Sequence, residues 1–248
     1  MFKLNTKQKI EDWLNDNIIT NYTIHDDLTV DVNQDVWITR RRKKLPFQFG
    51  IVEGDFFASD LGLESLEGAP RIVTGLFRCS NNPITSLKYG PVEVGGDFLC
   101  SSTKITDLQF SPETVGGFFE CTSCELVSFF GCPKKINSYF HCSSNRLQSF
   151  EYSPELINGA FIAAFNEFNS FKHFPKKVEY ATLNGNPLLT IDMLDDLLDC
   201  TFNSIICDFS SNKEESLNIL NIIKTKREKN ILDNSILKNS KHESKKRL

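Results

Sequence analysis

The cysteines offer the first chemistry to weigh. The chain has eight, and Cys121-x-x-Cys124 with Cys132 and Cys142 beyond is a spacing that suggests zinc. Such a site must bring four ligands to about 2.3 Å from one point. The histidines are His25, His141, His173 and His242. No two stand at ligand spacing, and none lies in a motif that would pair a general base with a nucleophile. The chain contains no G-x-x-x-x-G-K-[ST] phosphate loop and no G-x-S-x-G elbow. Two basic runs remain, Arg40-Arg41-Arg42-Lys43-Lys44 and the stretch after Lys224. They could meet phosphates or an acidic protein, but no aromatic residues are interleaved with the charges for bases to stack on.

The elements that carry these residues are set by a repeat. Proline stands at 70, 91, 112, 133, 154 and 175, each step being 21 residues. Cysteine follows the same step at 79, 100, 121 and 142, and phenylalanine at 56, 77, 98, 119, 140 and 161. Val52, Val73, Val94, Val115, Ile136, Ile157 and Val178 form a branched apolar column. Two more columns run Leu63, Ile84, Ile105, Leu126, Leu147, Phe168 and Leu66, Leu87, Leu108, Phe129, Phe150, Phe171. Six columns share one register, so a rung reads P-x-x-V-x-G-x-F-x-C-S-x-N-x-L-x-x-L-x-x-x-P. Repeats of this length build solenoids.

One rung explains its own composition. From Gly96 to Cys100 the chain alternates, with Phe98 and Cys100 on one side and Asp97 and Leu99 on the other, which predicts a short strand with one buried face. Small polar residues then turn the chain, the leucine pair returns across the core, and proline closes the rung where a missing N–H does no harm. A single rung cannot bury its Phe, Val and Leu, whereas stacked rungs share one core and pair their strands in parallel. The repeat also accounts for the cysteines. Cys121 and Cys142 belong to the strand column and Cys124 to an asparagine column, so the thiols are spread along the stack at about 4.8 Å per rung. Inward thiols fill space as small hydrophobes. No metal or other cofactor site is read.

The segment Phe77-Arg78-Cys79-Ser80-Asn81-Asn82-Pro83-Ile84 resembles the L-x-L-x-x-N-x-L heart of a leucine-rich repeat, and Val178 through Leu188 (VEYATLNGNPL) resembles its fuller form. The asparagine column reads Asn82, Thr103, Cys124, Asn145, Asn166 and Asn186. Leucine-rich repeats accept Asn, Cys or Thr there, because the side chain satisfies buried backbone groups at the turn. An extra residue between Val and Phe, together with Gly95-Gly96 and Gly116-Gly117, departs from that pattern and predicts a bulge before the strand. The "VGGDF-C" form of the rung is similar to leucine-rich-repeat-like proteins of large tailed bacteriophages and some bacteria. The similarity covers roughly residues 20 to 190. It implies the fold and a viral source, and brings no catalytic motif.

The fold expectation is a leucine-rich-repeat-like solenoid with a parallel β-sheet on one face, mostly irregular turns on the other, and helical caps at both ends. Residues 1–45 form an N-terminal cap, with a helix over 6–17 carrying Ile10, Trp13 and Leu14 and short strands around Val30-x-Val32 and Val36-x-Ile38. Residues 46–190 hold about seven rungs, a stack roughly 30–35 Å long. Residues 191–229 form a C-terminal cap. It has a helix face of Ile191, Leu194, Leu197 and Leu198, a strand Ile205-x-Cys207-x-Phe209, and a second helix capped by Asn212 that buries Leu217, Leu220 and Ile223. Residues 230–248 form a basic, disordered tail. From Lys224 onward the chain carries nine Lys/Arg against three Asp/Glu.

Composition narrows the function. The chain has 248 residues, a net charge of −4 and no apolar run near the twenty residues of a membrane span. The charged N-terminus does not read as a secretory signal, so the expected location is the cytoplasm, the host cytoplasm if the source is viral.

The outward strand positions are the informative ones. One column reads Asp55, Leu76, Asp97, Phe118, Tyr139, Ala160 and the next Phe57, Arg78, Leu99, Glu120, His141, Ile162. A third, Ser59, Ser80, Ser101, Thr122, Ser143, Ala164, is uniformly small. A solvated sheet face is normally polar. Large apolar residues mixed with charges mark a protein-binding surface. Phe57, Leu76, Arg78, Asp97, Leu99, Phe118, Glu120, Tyr139, His141 and Ile162 are therefore the candidate contact residues. The alternative for this face is cover by a cap, by the C-terminal segment or by a second copy.

The expected function is non-enzymatic recognition of another protein. The bacteriophage resemblance implies that the partner is a host or defence protein, blocked by this chain. Two rivals are a nucleic-acid-associated protein using the basic tail, and a repeat-bearing ubiquitin ligase. The second would need a catalytic domain after the repeats, where only about sixty residues follow.

Overall fold

In the computed structural model the described residues are 4–186, 189–208, 218–229 and 231. They form a β-solenoid of about eight turns with two parallel ladders running along its axis. The first ladder is built on the phenylalanine column. Its nine strands are Val36–Trp37, Phe56–Phe57, Phe77–Arg78, Phe98–Leu99, Phe119–Glu120, Phe140–His141, Ala160–Ile162, Tyr180–Thr182 and Ser204–Ile206. Register follows the repeat, with Phe77 opposite Phe98 and Phe119 opposite Phe140. Seven of these strands fall within residues 46–190, and the first and last extend the ladder into the segments read as caps; eight steps at about 4.8 Å give a stack of about 38 Å.

The second ladder corrects the expected irregular face. The branched column makes strands of its own: Phe49–Val52, Ile72–Val73, Glu93–Val94 and Thr114–Val115 pair in parallel. Lys135–Ile136 and Leu156–Ile157 form a further parallel pair. The residues between the Val and Phe positions are the corner that joins the two ladders, not a bulge in one strand. Glycine is needed at that corner because the backbones of stacked rungs nearly touch. A Cβ on Gly116 would collide with the carbonyl oxygen of Gly95, and one on Gly117 with Asp97 Oδ1.

The core lies between the ladders and the leucine columns. Phe56, Phe77, Phe98, Phe119, Phe140 and Phe161 are all buried, with successive ring centroids 4.9–5.6 Å apart. Full burial of such a side chain is worth about 1.5–3 kcal/mol, and the ring-to-ring contacts, some stacked and some edge-on, bind each rung to the next. The asparagine column does for polar groups what phenylalanine does for apolar ones. Asn82 Oδ1 accepts from the amides of Leu61 and Leu63 at 3.1 and 2.9 Å. Its Nδ2 donates to the carbonyls of Ala58 and Cys79 at 2.8 and 2.9 Å. Asn145, Asn166 and Asn186 repeat the arrangement, and Thr103 keeps one bond of it, to the Cys100 carbonyl. Buried backbone groups of adjacent rungs are thereby paired, as their desolvation requires.

Helices are few. The helix Lys7–Asp16 begins at Thr6, whose hydroxyl accepts from the Lys9 amide, and it buries Ile10 and Leu14 with Trp13 against Phe47. At the other end Ile191–Leu197 is a 3-10 helix rather than an α-helix, and residues 218–229 are helical with Ile219 and Ile223 buried. Phe209, Asn212, Leu217 and the 232–248 part of the basic tail lie outside the described residues.

Candidate functional site

The outer side of the phenylalanine ladder holds the residues singled out from sequence. Each two-residue strand turns its first side chain into the core, so the second must point outward. Parallel pairing then aligns these outward residues in one column: Trp37, Phe57, Arg78, Leu99, Glu120, His141 and Ile162. The residue before each strand flanks this column, bringing Leu76, Asp97, Phe118 and Tyr139 alongside. Trp37, Arg78 and Tyr139 are exposed, Tyr139 at 52%, while the others are half-buried. Phe57 stacks on Trp37 with centroids 3.8 Å apart, and Phe118 lies over Tyr139 at 6.3 Å.

A polar cluster interrupts the apolar column at its middle. Glu120 Oε1 accepts from the Ser101 and Thr122 hydroxyls at 2.9 and 3.2 Å. His141 Nε2 lies 3.1 Å from Ser143 Oγ, which also accepts from the Ala164 amide. Partial burial pushes the His141 pKa below the usual imidazole value, and nearby Glu120 opposes that shift. Ser143 is 7% exposed and its oxygen is anchored to backbone. The serine column thus fixes the rotamers of Glu120 and His141.

Asp97 has a different task from its neighbours. Its Oδ1 accepts from the Phe118 amide at 2.9 Å, as Asp55 does for Leu76 and Asp35 does for Asp55. These carboxylates cap the corner amides of the following rung.

The other groups weighed from sequence are placed as follows. Cys79, Cys100, Cys121 and Cys142 are buried, and burial raises their thiol pKa values. Among the described residues no group of three or more His, Cys, Asp or Glu is placed to hold a metal. In the basic run, Arg42 is folded inward over the Trp13 ring, and Lys43 and Lys44 pair with Glu64 and Glu67 of the next rung. No helix among the described residues is long and apolar enough to cross a membrane.

No protein-family model, curated protein or solved structure matches the chain.

Sequence reasoning missed two members of this surface, Trp37 at 57% exposure and Tyr180 at 50%. Both stand 20 residues from their counterparts, Phe57 and Ala160, rather than 21. A search allowing one-residue slips would have found them. It also missed the exposed aromatics Tyr89, Phe110, Phe130 and Tyr152 at the turn before the proline column.

Proposed function

We propose that this protein is a non-enzymatic binding module that grips another protein through the outer side of its phenylalanine ladder. The observation that carries the reading is the in-register column from Trp37 to Ile162, whose members differ in type from rung to rung. A structural column repeats one residue type, as the inward phenylalanines do. A recognition column varies, with aromatic anchors beside charged groups. The rigid ladder holds these anchors before contact, which lowers the ordering cost of binding.

The leucine-rich-repeat-like form of the rung and its similarity to bacteriophage proteins suggest the class of partner, a host or defence protein of an infected bacterium. That step rests on resemblance. The test uses Phe118→Arg with Tyr139→Arg, and Phe110→Arg, at the exposed turn before Pro112, as a control. A partner lost only with the double variant supports the reading. If the double variant stays folded and captures the same partner as the parent chain, this face is not the binding surface.

A further inference from the structure

The two ladders end differently at the N-terminal side of the stack. On the branched-residue side, Val30–Val32 is covered by an antiparallel strand, Tyr22–Ile24. The phenylalanine ladder ends on Val36–Trp37, with no described strand beyond it. Val36 and Ile38 donate inward, to the carbonyls of Asp55 and Phe57. Alternation in a parallel ladder therefore turns the Trp37 amide and carbonyl to the outer side, where neither has a partner among the described residues. Sheet edges are normally blunted by lysine, proline or a covering element, and residues 34–39 contain neither lysine nor proline.

A cleft of about 570 Å³ runs beside this edge. Asp16 and Ile18 line it from the end of the N-terminal helix, and Gln34, Asp35, Trp37 and Thr39 from the edge itself. Ile18 is 80% exposed with φ +60°, an uncommon conformation for a β-branched residue, and it faces the cleft with exposed Trp37. The charged residues of the lining are both carboxylates. The free amide and carbonyl of Trp37, two large exposed apolar side chains and two carboxylates meet at one place.

We propose that this edge accepts an extended segment of another protein as a further parallel strand. The added strand sets an apolar side chain against Trp37 and Ile18 and a lysine or arginine against Asp16 and Asp35. Main-chain hydrogen bonds supply affinity in such pairing, and alternate side chains supply selectivity. Trp37 stacks on Phe57, so the edge adjoins the proposed binding face. It nonetheless rests on its own hydrogen-bonding groups and does not depend on that reading.

The test titrates the full chain with a fluorescent heptapeptide of alternating valine and lysine, read by anisotropy. Three comparison peptides follow: one with glutamate for lysine, one N-methylated at alternate amides, and one with scrambled order. Saturable binding is expected, weakened about tenfold or more by charge reversal and by N-methylation. Asp16→Lys in the protein should weaken binding several-fold. Trp37→Pro removes the outward amide and should abolish it, with a melting curve confirming that the stack is intact. Should Trp37→Pro unfold the first rung, the N-methylated peptide answers the same question on the parent chain. Phe118→Arg with Tyr139→Arg should leave peptide binding unchanged, which separates this site from the face. Equal binding of the N-methylated and parent peptides would mean charge attraction alone and would overturn the proposal. So would no binding of the parent peptide at millimolar concentration.

Discussion

Asp97 Oδ1 accepts a hydrogen bond from the amide of Phe118, one rung further along the stack, at 2.9 Å. Sequence placed both residues on the outward face, and both are there, half-buried, with Asp97 also holding the chain at the corner. Asp97→Ala leaves the corner amide without its acceptor and should cost about 1–2 kcal/mol in urea unfolding. Asp97→Asn keeps an acceptor oxygen and should recover part of that loss. Equal stability of the alanine and parent chains would contradict the capping role.

The phenylalanine column should behave as one continuous core. Phe98→Ala removes a ring packed between Phe77 and Phe119, opening a cavity worth about 3–5 kcal/mol. Chemical denaturation measures it. A variant that unfolds like the parent would mean the ring is not core.

Asn145 bridges two rungs, accepting from the Leu126 amide and donating to the carbonyls of Cys121 and Cys142. Asn145→Ala orphans these groups and should cost about 2–3 kcal/mol. Asn145→Thr should cost less, because Thr103 occupies the same column and bonds the Cys100 carbonyl at 2.9 Å. If threonine is no better than alanine there, the column is not working through hydrogen bonds.

Thiol chemistry reports the same packing. Burial raises the pKa of Cys79, Cys100, Cys121 and Cys142, so the native chain holds them as unreactive thiols. Burial raises the Cys124 pKa as well, but this thiol is only half-buried and so is open to reagent. A disulfide reagent near pH 8 should label Cys124 well before these four, and all of them together on unfolding. Fast labelling of Cys100 or Cys121 in the native protein would contradict the inward column.

Burial lowers the His141 pKa below its usual 6.5. As pH falls below that value the unfolded chain takes up the proton before the native one, so stability declines from there down to the native pKa. His141→Gln should flatten this decline in a series of melting curves. His25 runs the other way, since its hydrogen bond to Asp31 raises its pKa, and it serves as the internal comparison. An unchanged pH slope in His141→Gln would show the ring is not desolvated.

Much of this architecture was legible because one residue type recurs once per rung. Phe98, Cys100 and Asn145 each belong to columns that a fixed step reveals, and stacking makes those columns core. The strand at Val94 was not legible, since two residues with one turned inward leave no alternation to detect. The corner glycines Gly116 and Gly117 looked like a bulge for the same reason. Trp37 escaped because the first turn is one residue short. The capping task of Asp97 was hidden because its partner is a backbone amide, which carries no sequence signal.

The varied outward column on the phenylalanine ladder is the proposed protein-binding surface. Hydroxyl-radical footprinting of the chain, free and with its captured partner, reads that column side chain by side chain. Protection of Leu99, Phe118, Tyr139 and His141, recurring in step with the rungs, is the expected result. Protection confined to Tyr89, Phe110, Phe130 and Tyr152, with the ladder side chains oxidised as in the free chain, would contradict it.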